Sequence, residues 1–140
     1  MLGEDAGRLP VFVYGTLRPG LRNHDRLLRG RTVAERPARM RDAVLYEGPG
    51  YPFAVAERGG EVHGELIAVA PRWYRPVLAA LDELEGYRPG DPRNLYERVE
   101  REVLVEGAGT VRAWVYLAAE ATALRLRASG TRVVGGDWTG

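Results

Sequence analysis

Two kinds of hydrophobic spacing alternate along this chain, punctuated by glycine. Val11, Phe12, Val13 and Tyr14 form a continuous apolar run, β-branched and aromatic, that stops at Gly15. Such a run predicts a short buried strand feeding a loop. Further strands are predicted near Thr32–Glu35, Ala43–Tyr46, Phe53–Glu57 and Val62–Val69, with Gly48-Pro49-Gly50 and Gly59-Gly60 as turns. Two longer strands follow, Tyr96–Glu106 and Thr110–Leu117, joined as a hairpin by Gly107-Ala108-Gly109. Helical signals fall in two places. After Gly20, Asn23 caps a short helix through Leu28 that Gly30 ends. The second is an amphipathic helix over Pro76–Glu85, followed by a loop rich in proline and glycine from Tyr87 to Asn94. Ala118 to Gly140 carries a small-residue stretch and then Gly135-Gly136-Asp137-Trp138, and its pattern assigns no element. Strands outnumber helices and short turns join most neighbours. The predicted fold is therefore α+β, a small, mostly antiparallel β-barrel with a few short helices. Residues 1–9 are polar and read as a flexible lead to a single domain over 10–140.

Glu85 breaks the pattern of the second helix. Val77, Leu81, Leu84 and Glu85 follow the i, i+4, i+7, i+8 spacing of one helical stripe, while Asp82 and Glu83 fall on the wet side. Glu85 is thus predicted to face packed protein. Pro76 suits the first helical position and Gly86 the residue just beyond the end, so the helix is short and firmly bounded. At that C-terminus the macrodipole disfavours a carboxylate by a few tenths to about 1 kcal/mol. Burial pushes the same way, so the expected pKa shift is upward, toward the range useful for a general base near neutral pH. Spacing alone also leaves open a structural ion pair between Glu85 and one of the many arginines.

Composition narrows the classes. With 140 residues, 45% hydrophobic and 28% charged, the chain is long enough for one domain with a sizeable core. Net charge is +1, and although every basic residue is arginine, acids are interspersed almost one for one. No basic tract marks nucleic acid as the partner. Absence of cysteine excludes disulfides, thiolate nucleophiles and cysteine metal sites. The N-terminus lacks an apolar signal core and no run is long enough to span a bilayer, so no membrane partner is expected and a cytoplasmic location is the default.

The run Tyr14-Gly15-Thr16-Leu17-Arg18-Pro19-Gly20 is the most distinctive in the chain. A strand that ends in glycine turns sharply, and the amides of Gly15, Thr16 and Leu17 are left without a ladder partner. They can converge on an anion or a developing oxyanion. The Gly-Lys-Ser/Thr ending of a Walker loop is missing, and Gly15 and Gly20 lack the spacing of a dinucleotide fingerprint. A purely structural glycine turn is the other reading of these residues.

Taken together, the two features resemble a known family. Val13-Tyr14-Gly15-Thr16-Leu17-Arg18, with Gly20, Asn23 and His24 following, is similar to the opening motif of the gamma-glutamylcyclotransferase-like family, in its gamma-glutamylamine cyclotransferase branch. Leu81-Asp82-Glu83-Leu84-Glu85-Gly86-Tyr87 is similar to its second motif. Tyr51-Pro52, Gly64-Glu65-Leu66, Tyr96-Glu97-Arg98 and Gly136-Asp137-Trp138 also resemble family positions, in order over nearly the whole chain. The resemblance implies a small mixed barrel that cleaves a gamma-glutamyl amide by internal cyclisation, releasing 5-oxoproline and a free amine. It implies Glu85 as the acid/base and Tyr14, Gly15, Thr16 and Leu17 as the loop holding the gamma-glutamyl group. The substrate's own α-amine is the nucleophile, so no serine or cysteine attacker is needed, and no metal or organic cofactor is required. A module that binds a small acidic or gamma-glutamyl metabolite without turning it over is the rival reading. The leaving amine is decided by the loops at the pocket rim.

Other residues carry two readings each. Arg18 can hold a substrate carboxylate through a bidentate contact, or lie solvated on its loop. Tyr96 and Tyr87 can offer hydroxyls to substrate, or pack. Arg98 can pair with Glu85 or support the pocket wall. Gly64 marks either a close backbone approach or a bulge. His24 is expected to brace the loop and His63 to be a surface or packing residue, and together they make a poor metal site. Trp73, Trp114 and Trp138 are read as core or lid residues.

Overall fold

In the computed structural model, which describes residues 8–140, alternation along the first strand organises the core. In β1 (Val11–Val13), Phe12 and the following Tyr14 join one apolar cluster, while Val11 and Val13 join another. The first cluster, with Met40, Leu66, Val103, Val115 and Trp138, fills the barrel. The second, with Ile67, Val77, Leu81, Tyr96 and Tyr116, lies between the barrel wall and the helices. β1 is buried on both faces because it belongs to both layers, which is why its sequence is continuously apolar.

Five strands close on themselves in the order β1-β3-β2-β4-β5, with β2 over Thr32–Glu47, β3 over Pro52–Val69, β4 over Tyr96–Val105 and β5 over Gly109–Ala118. All pairings are antiparallel except the closing one, where β1 meets β5 in parallel at Val11 and Trp114. The expected α+β barrel is the observed fold. Its strands are longer than predicted: the four candidates between residues 32 and 69 merge into β2 and β3. Gly59-Gly60 does not end a strand. Residues 57–60 of β3 stand opposite the single Asp42 of β2, whose φ of 60° is left-handed and whose carboxylate accepts the Gly59 N–H at 2.9 Å. The glycine pair therefore kinks one strand rather than separating two. A Cβ on Gly64 would lie 2.1 Å from the Val13 carbonyl oxygen. Its glycine is required by close approach of β1 to β3.

Three α-helices complete the fold among the described residues: α1 (Arg22–Leu27), α2 (Tyr74–Glu85) and α3 (Glu120–Ser129). α2 starts two residues earlier than its sequence suggests, after a 3₁₀ turn over Pro71–Trp73, so Pro76 stands third rather than first. The first turn still tolerates it, since N–H groups there have no intrahelical acceptor. Its end is as expected: Gly86 is left-handed at φ 66°, and the Tyr87 N–H closes on the Asp82 carbonyl at 2.8 Å. α3 escaped the sequence reading because it has no apolar stripe; Thr122 and Ala123 are its buried residues. Beyond it, a turn at Val134–Gly136 delivers Trp138 into the barrel core. Residues 1–7 of the expected N-terminal lead lie outside the described residues, and Leu9 accepts a hydrogen bond from the Tyr74 hydroxyl at 2.8 Å.

Candidate active site

Where β1 runs out, the chain turns at Gly15 under Pro52. A Cβ on Gly15 would meet Pro52 Cδ at 2.9 Å, so glycine is needed here for close packing rather than for a left-handed φ. The Arg18 N–H then closes on the Gly15 carbonyl at 3.0 Å, and the Asn23 N–H on the Thr16 carbonyl at 3.1 Å. Asn23 does not cap α1, whose N-cap position is Leu21; its buried side chain donates to Thr16 Oγ1 at 2.7 Å and pins the loop. The N–H groups of Gly15, Thr16 and Leu17 donate to no partner among the described residues. They are available to a ligand anion.

These residues border a cavity of about 510 Å³. Tyr14, Gly15, Thr16 and Leu17 form one side, and Leu84, Glu85 and Gly86 from the end of α2 form another. Tyr51 and Pro52, Leu95 and Tyr96, Tyr116, and Arg22, Asn23 and Arg26 of α1 complete most of the lining. The volume suits a small metabolite. Glu85 and the loop amides thus face one space. No hydrogen bond or ion pair reaches the Glu85 carboxyl from the described residues. Burial pushes its pKa up from 4.5 to about 7. An acid so placed is half ionised near neutrality and can both take and return a proton.

Three tyrosines surround this carboxyl, and each has its proton committed elsewhere. Tyr14 donates to the Tyr116 carbonyl and also accepts the Ala54 N–H. Tyr96 donates to the Pro52 carbonyl at 2.9 Å while its ring stacks on Phe53 at 4.6 Å. Tyr116 donates to Asp82 Oδ1 at 2.7 Å. All three hydroxyls are pushed above their ordinary range, first by burial and further by the negative charge of Glu85. They stay neutral, and toward a ligand Tyr96 offers lone pairs rather than a proton.

Two arginines stand apart from the cavity. Arg18 points away from it: its guanidinium holds Glu65 Oε1 at 2.8 Å, Asp137 Oδ1 at 2.6 Å and the Trp138 carbonyl at 2.7 Å. Arg18, expected to meet substrate, is absent from the cavity lining and has its donors occupied by these partners. Its role is to clamp the C-terminal tail onto β3. Arg98 is 3.0 Å from Asp82, not paired with Glu85, and stacks 4.3 Å over Trp114. Asp82 consequently leaves the wet side assigned to it and joins α2 to the barrel through Arg98 and Tyr116. Tyr87 lies outside the cavity lining, beside Arg98. His24 is buried, with Nε2 at 2.7 Å from Glu35, and His63 lies 3.8 Å from Glu61. No cluster of three or more metal-ligating residues occurs among the described residues.

Of the lining residues, Arg22, Arg26, Leu95 and Tyr116 were not singled out from sequence. Arg22 and Arg26 carried a signal, since their i, i+4 spacing gives both one face of α1. Tyr116 carried one too, in that its alternation with Val115 and Leu117 turns it out of the barrel toward α2.

Known proteins resemble this chain in sequence and in fold. The gamma-L-glutamyl-butirosin B gamma-glutamyl cyclotransferase of Niallia circulans is 38% identical over 111 residues, which are 76% of this chain and 65% of that protein. The chain therefore spans slightly under two thirds of that relative's length. The gamma-glutamylaminecyclotransferase of Bos taurus is 35% identical over 130 residues, 83% of this chain and 70% of that one. The crystal structure of an AIG2-like protein from Mus musculus superposes with a TM-score of 0.57 at 26% identity, covering 79% of this chain and 76% of that one. The family described as "Gamma-glutamyl cyclotransferase, AIG2-like" matches residues 11–140, from the first strand through every wall of the cavity to the last residue. With barrel, cavity and sequence in agreement over that span, the chain belongs to the gamma-glutamyl cyclotransferase, AIG2-like family.

Proposed function

We propose that the protein cleaves a gamma-glutamyl amide by attack of the substrate's own α-amine on the γ-carbonyl, releasing 5-oxoproline and a free amine, with Glu85 as general acid/base. The observation that carries this reading is that Glu85, its pKa raised to about 7, lines the same cavity as the amides of Gly15, Thr16 and Leu17, and that neither it nor they have a partner among the described residues. In the reaction the loop amides hold the glutamyl α-carboxylate, and Tyr14 and Tyr96 close the pocket around the glutamyl carbons. The Tyr96 oxygen accepts one N–H of the substrate ammonium. Glu85 takes another proton from that ammonium, and the freed lone pair forms the new C–N bond. The carbonyl electrons move onto oxygen. Glu85 delivers its proton to the leaving nitrogen and takes a second one from the new ring nitrogen; when the carbonyl electrons return the old C–N bond breaks, and that second proton passes from Glu85 to the released amine, restoring the carboxylate. Ring closure is intramolecular in the substrate, so a pocket that enforces the folded conformer supplies much of the acceleration. The proton relay adds about 10²- to 10⁴-fold.

The test is release of 5-oxoproline from a panel of gamma-glutamyl amides by the purified protein, with Glu85→Gln as control. Turnover by the wild type and loss of it in the variant are expected. Tight binding of gamma-glutamyl compounds with no product across the panel would instead identify a binding module.

A further inference from the structure

The cavity has a charged mouth as well as a catalytic floor. Arg22 and Arg26 project from one face of α1, one turn apart, and both line the cavity while remaining exposed. One N–H of Arg22 goes to the Gly50 carbonyl at 3.1 Å, which steadies the side chain and leaves its other donors free. The Arg26 guanidinium has no hydrogen bond or ion pair among the described residues. Among these residues Glu85 is the only acid lining the cavity, and it is partly neutral near pH 7. The mouth is therefore a region of net positive charge. Beside it stands Leu95, an apolar side chain 45% exposed.

Depth decides which half of the substrate meets this rim. Glu85 and the loop amides sit with buried Phe12, Tyr14, Tyr96 and Tyr116. On the cyclotransferase reading, on which this inference rests, the glutamyl half occupies that inner end, and the scissile nitrogen leads outward. What lies between Arg22, Arg26 and Leu95 is the leaving amine. We propose that Arg22 and Arg26 select substrates whose leaving amine carries its own carboxylate, the gamma-glutamyl amino acids, against those that release a cationic amine. In an amino acid that carboxylate is one carbon from the scissile nitrogen, so a glutamyl group held at the floor brings it to the mouth. A guanidinium donates two N–H bonds to it, and Leu95 meets an apolar side chain. A diamine presents an ammonium to the same two cations and is repelled.

Gamma-glutamyl-leucine, its neutral counterpart gamma-glutamyl-leucinamide and gamma-glutamyl-putrescine separate the possibilities, with 5-oxoproline release as the readout. We expect kcat/KM for the acid to exceed that for the amide by at least about tenfold, the worth of one charge-assisted hydrogen bond at an exposed rim, with the diamine lowest. Raising salt to about 0.5 M shrinks the preference, because exposed charges are screened. R22Q/R26Q removes it, and R26E moves it toward the putrescine conjugate. Thermal melting of both variants verifies that they are folded. An amide or diamine conjugate used as well as the acid by the wild type would overturn the inference, as would a preference that survives R22Q/R26Q. Product release without charge preference sinks this inference alone, whereas no 5-oxoproline from any of the three, nor from the wider panel, sinks the cyclotransferase reading with it.

Discussion

Glu85→Gln separates the stability of this fold from its chemistry. The wild-type carboxyl has a folded pKa of about 7 against an ordinary value of 4.5, and the cause is burial. A raised acid pKa means that the native state binds more protons than the unfolded state between those two values. Stability therefore falls as pH rises through that window: the cost is absent below about pH 4.5 and fully developed above about pH 7. At 1.36 kcal/mol per pKa unit, and allowing for water in the cavity, it reaches about 2–3 kcal/mol. Glutamine has the same shape and cannot ionise, so the variant escapes that cost. For a chain of this length, about 3–4 °C of Tm per kcal/mol translates the difference into a variant about 6–12 °C more stable at pH 8. At pH 4.5 the two proteins should melt together. Calorimetry or circular dichroism across pH 4.5–8 measures this directly, alongside 5-oxoproline release, which should fall by about 10²-fold or more. A Tm difference independent of pH would refute the argument, because it would mean that Glu85 ionises as freely in the folded protein as outside it.

Three further predictions follow from the same geometry. Gly15→Ala places a methyl group 2.9 Å from Pro52 Cδ, so the loop shifts. We expect kcat/KM to drop by about 10²-fold with Tm lowered by only a few degrees, and an unchanged rate would mean that the loop amides do not position substrate. Arg18→Ala strands Glu65 and Asp137 and releases the tail, at a cost of about 1–3 kcal/mol; urea unfolding and exposure of Trp138 to a fluorescence quencher measure it, and an unaltered midpoint would deny the clamp. Asp82→Asn frees Arg98 from its carboxylate partner, and the acid limb of the kcat/KM profile, expected near pH 7 in the wild type, should move to lower pH as the cation turns toward Glu85. A limb that stays in place would show that Asp82 does not govern that ionisation.

Legibility in the sequence followed the range of the interactions. The strand Val11–Val13, the end of α2 at Gly86 and the hairpin between β4 and β5 could all be read because their signals are local: an apolar run, a left-handed glycine, a glycine-flanked turn. The division of residues 32–69 into four strands failed for a related reason. Gly59-Gly60 has the composition of a turn, and only Asp42, across the sheet, makes it a kink within one strand. α3 has no stripe to reveal it, since its ten residues pack chiefly through Thr122 and Ala123. The partners of Arg18 left no trace in the sequence because both are remote, Glu65 on β3 and Asp137 at the end of the chain. No spacing rule connects residues so far apart in sequence.

The same reasoning explains how Glu85 escapes an arginine in a chain that carries so many. Asp82 and Glu85 are i, i+3 neighbours at the end of α2, and it is Asp82 that lies against Arg98. Asp82 wins because it has a second partner: the Tyr116 hydroxyl donates to Oδ1, the oxygen that lies 3.0 Å from Arg98 Nε. Arg98 is held in turn over Trp114, whose indole N–H donates to Tyr74 at the start of α2. Had Arg98 reached Glu85 instead, an adjacent cation would have drawn its pKa down from about 7 and weakened its capacity to return a proton. An ion pair three residues upstream thus keeps cationic charge off the proposed base while the helix end carries that base into the cavity.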